Sequence, residues 1–205
     1  VPAYGGEYSE AIVGHPQYVN PILAQTNDVD MDLTHLLFSG LFRRTKDQQS
    51  EPDLVTDYTI SEDQLTYTFF IRRDAKWHDG EQLTASDILF TIEAIQDPNY
   101  QSPLETSLRG VKAEQIDEYT LKLTLTEPFA PFLSSLTFGI LPQHIWYDAY
   151  KVSSQNITLS EYNIRPVGSG PFMFDSLVKD ATGVLKSYSL VPFSDYYGQK
   201  PYLEK

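Results

Sequence analysis

Cysteine is absent from the 205 residues, so neither a disulfide nor a thiolate metal site is open to this chain. Basic residues are sparse: 15 Lys and Arg stand against 28 Asp and Glu, a formal net charge of −13. Like charges repel, which argues against nucleic acid or an anionic membrane surface as a partner. No apolar run approaches the roughly 20 residues that span a bilayer. The opening Val1-Pro2-Ala3-Tyr4-Gly5-Gly6 has neither the basic start nor the apolar core of an export signal. H-E-x-x-H, G-x-S-x-G, P-loop and Rossmann glycine patterns are all missing. His15, His35, His78 and His144 are too scattered for a zinc site. No catalytic residue, metal ligand or cofactor is therefore assigned.

What is present is ordinary for a globular protein: 41% hydrophobic and 21% charged residues, on a chain long enough to bury roughly 70% of its surface. The most informative stretch runs from Leu65 to Ile95. Thr66, Thr68, Phe70 and Arg72 alternate with Tyr67, Phe69, Ile71 and Arg73, the period of a half-buried strand. Asp79-Gly80 supplies a turn. Thr84, with Asp87 three residues on, predicts a capped helix whose Ile88, Leu89, Ile92 and Ile95 share one face. Asp97-Pro98 ends it.

Elsewhere, Glu7 to Val13 reads as a short strand. Asn20-Pro21 is a turn. Leu33, Leu36, Leu37 and Leu41 predict an amphipathic helix over 31–42, with Phe38 and Phe42 alongside. Asp28, Asp30 and Asp32 suggest a calcium loop, but an EF-hand would need Gly at Leu33 and Glu at Ser39. They fit a helix N-terminus instead, where carboxylates complement the dipole. Hairpins are predicted at Tyr58–Ile71 and Val111–Leu125, a short helix from Pro128, a strand at Gly139–Pro142, a helix over Pro142–Tyr150, and a loop over 151–164. Two more strands follow, Phe172–Leu177 and Leu185–Val191. The serine of Gly168-Ser169-Gly170 lacks a strand-to-helix elbow, so it is a poor nucleophile. Asn156-Ile157-Thr158 is a glycosylation acceptor only in a eukaryotic setting. The 14 Tyr and 11 Phe are read mainly as packing.

Read as an ordered block, Arg72-Arg73, Lys76-Trp77, Asp79-Gly80, Leu83-Thr84-Ala85, Asp87 and Phe90 resemble the hallmark of the family 5 extracellular solute-binding proteins. These are the oligopeptide, dipeptide and nickel receptors of ABC importers. Ile71 stands where many relatives have Leu. Pro166-Val167-Gly168-Ser169-Gly170-Pro171-Phe172 resembles a second hallmark with Ser169 in place of Thr. Phe193 to Tyr202 resembles a third, with Ser194 for Asn and Tyr197 for Trp.

The resemblance runs from about Gly6 to Lys205. It implies an α+β (mixed α/β) fold: the first lobe of a type II periplasmic-binding-protein-like fold, a mixed sheet with a hairpin-and-helix insertion. Residues 1–38 and 143–205 would form the sheet-bearing subdomain, and 39–142 the inserted α+β subdomain. Family members are more than twice this length, so a second lobe is expected after Lys205 and the chain is expected to be a fragment. The implied function is capture of a small solute, an oligopeptide or dipeptide, for an ABC permease. The implied location is periplasmic or extracellular, with membrane contact only through a lost lipid anchor or the permease. Carried over, the solute-binding positions are Gln25, Thr26, Asn27 and Asp28, where the chain crosses the cleft, and Leu104, where some peptide binders have Tyr. A different reading is a secreted hydrolase or a non-transport partner-binding domain on the same scaffold, because fold does not fix function.

Overall fold

The computed structural model describes residues 4–152 and 154–205, with side chains left out over 148–156; Val1–Ala3 and the Asn156 side chain lie outside it. Helices are α1 (Asp28–Leu37), α2 (Ala85–Gln96), α3 (Glu105–Leu108), α4 (Phe132–Ser135), α5 (Gln143–Val152) and α6 (Ser154–Leu159). Strands are β1 (Phe42–Arg44), β2 (Ser50–Pro52), β3 (Val55–Ile60), β4 (Thr66–Ile71), β5 (Lys112–Asp117), β6 (Thr120–Thr124), β7 (Phe172–Lys179) and β8 (Leu185–Pro192).

The two predicted hairpins merge into one antiparallel sheet of order β3-β4-β6-β5. Alternation in β4 works as expected: Tyr67, Phe69 and Ile71 are buried, while Phe70 faces out. Tyr67 sits opposite Leu123 and Phe69 opposite Leu121, so the apolar residues of both central strands share a face. α2 covers that face with Ile88, Ile92 and Ile95, all fully buried. Its start is fixed as the sequence suggests, the Thr84 N–H donating to Asp87 Oδ2 at 2.9 Å. The other oxygen of Asp87 accepts from the Gln143 N–H at 2.8 Å. One carboxylate thus ties the first turns of α2 and α5 together, and burial raises its pKa.

Several expectations need correction. Every strand ladder among the described residues is antiparallel, so the mixed sheet is not formed as such. Its parallel component is an irregular zipper in which Gly5, Gly6 and Tyr8 bond Tyr202, Glu204 and Lys205 in the same chain sense. The strand predicted over Glu7–Val13 is absent, because Ile12 and Val13 find no sheet face and stay exposed. The helix predicted over 31–42 lies earlier. Asn27 caps it through Val29 N–H at 3.0 Å, with Asp28 and Asp30 in its first turn. It stops at Leu37 because Phe38 turns extended. The strand at Gly139–Pro142 is a single bridge from Gly139 to Gly40. The helix after Pro128 begins only at Phe132.

The loop predicted over 151–164 is helical instead: α5 runs to Val152, α6 follows, and a 3-10 turn spans Glu161–Asn163. Ile157 is fully buried, and Asn163 accepts from Val19 N–H at 2.8 Å, which anchors this polar segment to the core. Among the described residues no helix is long and apolar enough to cross a membrane.

Candidate functional site

A cleft of about 650 Å³ opens beside α1, walled by Pro21, Gln25, Thr34, His35, Phe38 and Arg44 among others. Its floor is made where two chain segments touch at the Gly40–Gly139 bridge. Side chains are excluded there: a Cβ on Gly40 would lie 2.5 Å from the Phe138 carbonyl, and one on Gly139 2.6 Å from Phe38 Cβ. Phe38, Phe42 and Phe138 give the floor an apolar surface.

The wall carrying Gln25 is a turn. Asn20 is fully buried, its Oδ1 accepting from Ile22 N–H at 3.1 Å, and a 3-10 turn over Ala24–Thr26 follows. Ser102 donates to the Ile22 carbonyl at 2.7 Å, which pins the loop bearing Leu104 against that turn. Gln25 and Leu104 therefore line the same cleft. Thr26, Asn27 and Asp28 are not among its lining residues. Thr26 and Asp28 are exposed, and the Asn27 side chain holds the start of α1.

Two polar atoms of this wall are buried without a partner. Gln25 donates through Nε2 to the Pro21 carbonyl at 2.7 Å, which leaves its Oε1 unpaired, and Thr34 Oγ1 is likewise unpaired. Such atoms cost about 1–3 kcal/mol each, and both are shut off from the cleft space. The opposite wall is cationic. Arg43 is held by Glu51 at 2.7 Å, and Arg44 lies beside it. Asp53 accepts from the Tyr197 hydroxyl at 2.7 Å, and Arg72 sits 3.6 Å over that ring. Burial raises the pKa of Asp53 and of the Tyr197 phenol. His35, Arg43, Arg44 and Tyr196 were not anticipated as lining residues; the available signal was the Arg43-Arg44 pair that closes LLFSGLFRR.

Behind the cleft, Gly168-Ser169-Gly170 is a clasp. Gly170 N–H donates to the Leu37 carbonyl at 2.9 Å, and the Ser39 hydroxyl donates to the Ser169 carbonyl at 3.1 Å. His78 closes it, its N–H donating to the Gly168 carbonyl at 2.8 Å while Nδ1 accepts from Gly168 N–H at 3.0 Å. The hallmark turn thus locks the end of α1, and with it one wall of the cleft. Ser169 is fully buried in this role.

Residues 49–205 match the family described as Bacterial extracellular solute-binding proteins, family 5 Middle. The chain belongs to this family. A "Probable D,D-dipeptide-binding periplasmic protein DdpA" of Escherichia coli K12 is 31% identical over 199 residues, covering 91% of this chain and 36% of the relative. The Bacillus subtilis oligopeptide-binding protein AppA, solved with a nonapeptide, superposes with a TM-score of 0.88 at 26% identity, covering all of this chain and 40% of that one. NikZ of Campylobacter jejuni, solved with Ni(L-His), gives a TM-score of 0.75 at 29% identity, covering 96% and 36%. This family 5 chain thus spans about a third of the length of the curated relatives it matches. Its α+β architecture is the fold of these binding proteins over that part.

Proposed function

We propose that this family 5 chain is the first lobe of a receptor that captures a small peptide outside the cytoplasm and hands it to an ABC permease. The observation that supports this best is the cleft itself. Its volume falls in the range of small-ligand sites, roughly 300–1,000 Å³, and Phe38, Phe42 and Phe138 give it an apolar floor. Relatives named for dipeptides and oligopeptides point the same way.

The working mechanism makes and breaks no bond. A second lobe closes over solute seated here, and closure is favoured because the solute gains its remaining contacts only in the closed state. Within this half we assign solute contact to Gln25 and Leu104. We keep Thr26, Asn27 and Asp28 as the margin of the crossing, with Asn27 fixing the entry angle of α1. We also retain 39–142 as the inserted subdomain between 1–38 and 143–205; β1 to β6 all fall inside it.

The test is a titration of the isotopically labelled chain with a mixture of short peptides, read by amide shifts, alongside esterase and peptidase assays. Shifts at Gln25, Phe38, Gly40 and Leu104 without turnover support the reading. Turnover, or shifts confined to other faces, would favour the hydrolase or partner-binding reading instead.

A further inference from the structure

Several rings line the cleft, but most of their surface is already covered. Phe38, Phe42 and Phe138 are at most 8% exposed, so a solute can reach little more than their edges. Tyr196 lines the same space and is only half-buried. The charged groups that line the cleft with it are occupied elsewhere: Glu51 holds Arg43, and the Tyr197 hydroxyl donates to Asp53. The Tyr196 ring is also held still. Tyr197 lies against it with centroids 4.6 Å apart, and the Tyr196 N–H donates to the Phe193 carbonyl at 3.2 Å. Gly198 leaves it room, since a Cβ there would lie 2.7 Å from Tyr196 Cε1.

The segment that carries this ring is fastened on both sides. Before it, Phe193 packs edge-on against His78 at 4.9 Å, and Asp195 pairs with Lys76 at 2.9 Å. After it, the Tyr197 hydroxyl reaches Asp53 at 2.7 Å and Arg72 lies 3.6 Å over the Tyr197 ring. A side chain fixed before binding gives up little freedom when a solute arrives, and an aromatic ring presents a large flat area to it.

Resting on the solute-capture reading above, we infer that Tyr196 is a solute-binding residue whose ring selects a peptide carrying an aromatic side chain. The peptide's ring packs on Tyr196 offset or edge-on, the arrangements that the ring quadrupoles favour. A peptide with small side chains alone enters the cleft and leaves the Tyr196 ring uncovered.

Two probes with identical termini and charge test this: trialanine and Ala-Phe-Ala. Each is titrated against the isotopically labelled chain and its Tyr196→Phe and Tyr196→Leu variants, with amide shifts read at Gln25, Leu104 and Tyr197. Ala-Phe-Ala should bind roughly tenfold more tightly than trialanine. Tyr196→Phe should keep that ratio, and Tyr196→Leu, which retains apolar bulk without a ring, should cut it roughly three- to tenfold. Taking the ratio of two probes within one protein cancels any general loosening by the substitution. In the unsubstituted chain, nuclear Overhauser contacts should join the probe's phenyl ring to the Tyr196 ring; if Tyr196→Leu fails to fold, these contacts decide alone. Equal affinity for the two probes, a ratio that Tyr196→Leu leaves intact, or a phenyl ring whose contacts lie away from Tyr196 overturns the assignment while solute capture stands. Cleft resonances that move with neither peptide overturn solute capture by this lobe, and this inference with it.

Discussion

Acid should weaken this fold through one imidazole. His78 Nδ1 accepts the Gly168 N–H at 3.0 Å, so Nε2, 3.2 Å from the Gly170 carbonyl, must be the nitrogen that carries the proton. A second proton on Nδ1 would set two donors against each other in a clasp that burial already makes hostile to charge. Burial accordingly lowers the His78 pKa from 6.5 to about 4. Each pKa unit is worth about 1.4 kcal/mol, so the difference amounts to about 3 kcal/mol. The sign follows from proton uptake. As pH falls below the unfolded value the unfolded chain protonates first, so this stability is complete above about pH 6.5 and lost on the way to about pH 4. Asp30, Asp53 and Asp87 act in the opposite sense. Burial raises their pKa values, so the folded chain takes up their protons first and is relatively favoured in acid. Comparison with His78→Gln cancels those carboxylates. Urea unfolding of both proteins should show the native advantage over the variant shrinking by about 3 kcal/mol between about pH 7 and pH 4. An NMR titration of the His78 ring should find it neutral at pH 5. A stability gap that stays constant with pH, or a ring that titrates near 6.5, would refute the clasp argument.

Three further outcomes are expected. Asp87→Ala leaves the first turns of α2 and α5 without their shared acceptor and should cost about 2–4 kcal/mol in denaturant unfolding, with Asp87→Asn less damaging. Gly168→Ala would put a Cβ 1.8 Å from the Leu37 carbonyl, a backbone atom that cannot swing away; a loss on the order of 3 kcal/mol, or failure to accumulate folded protein, is expected. Tyr197→Phe removes the hydroxyl bonded to Asp53 and should cost about 1–2 kcal/mol by thermal unfolding, with the Arg72 stacking preserved.

Which parts of this molecule were legible in the sequence follows from where its forces are local. Alternation in Tyr67-Phe69-Ile71 and the Thr84–Asp87 cap are short-range patterns, and strand, turn and helix appear where they call for them. Residues 151–164 carry their helical instruction in one long-range fact: Ile157 is swallowed by a core built from distant segments, and no periodicity in the segment itself announces it. The stop of α1 at Leu37 is similar. Leucine spacing alone would carry the helix to Leu41, but the Gly168–Gly170 clasp takes the Leu37 carbonyl and the Gly40–Gly139 bridge needs extended chain.

The cleft follows the same division. Gln25 and Leu104 were reachable through resemblance, since each sits at a fixed place in the family's order of motifs. Arg44, His35 and Thr34 were not, because their meeting around one cleft depends on how α1 ends and where β1 begins. That dependence gives the hallmark block a physical reason to accompany the cleft without lining it. His78 positions the glycine clasp, the clasp fixes the last turn of α1, and that turn carries Thr34 and His35 on the wall of the cleft that Arg44 also lines. Loosening His78 should therefore blur the cleft before it unfolds the chain. In His78→Gln the amide resonances of Thr34 and His35 should broaden or shift at neutral pH while those of α2 stay in place. Unchanged α1 resonances in that variant would break the link between the hallmark and the site.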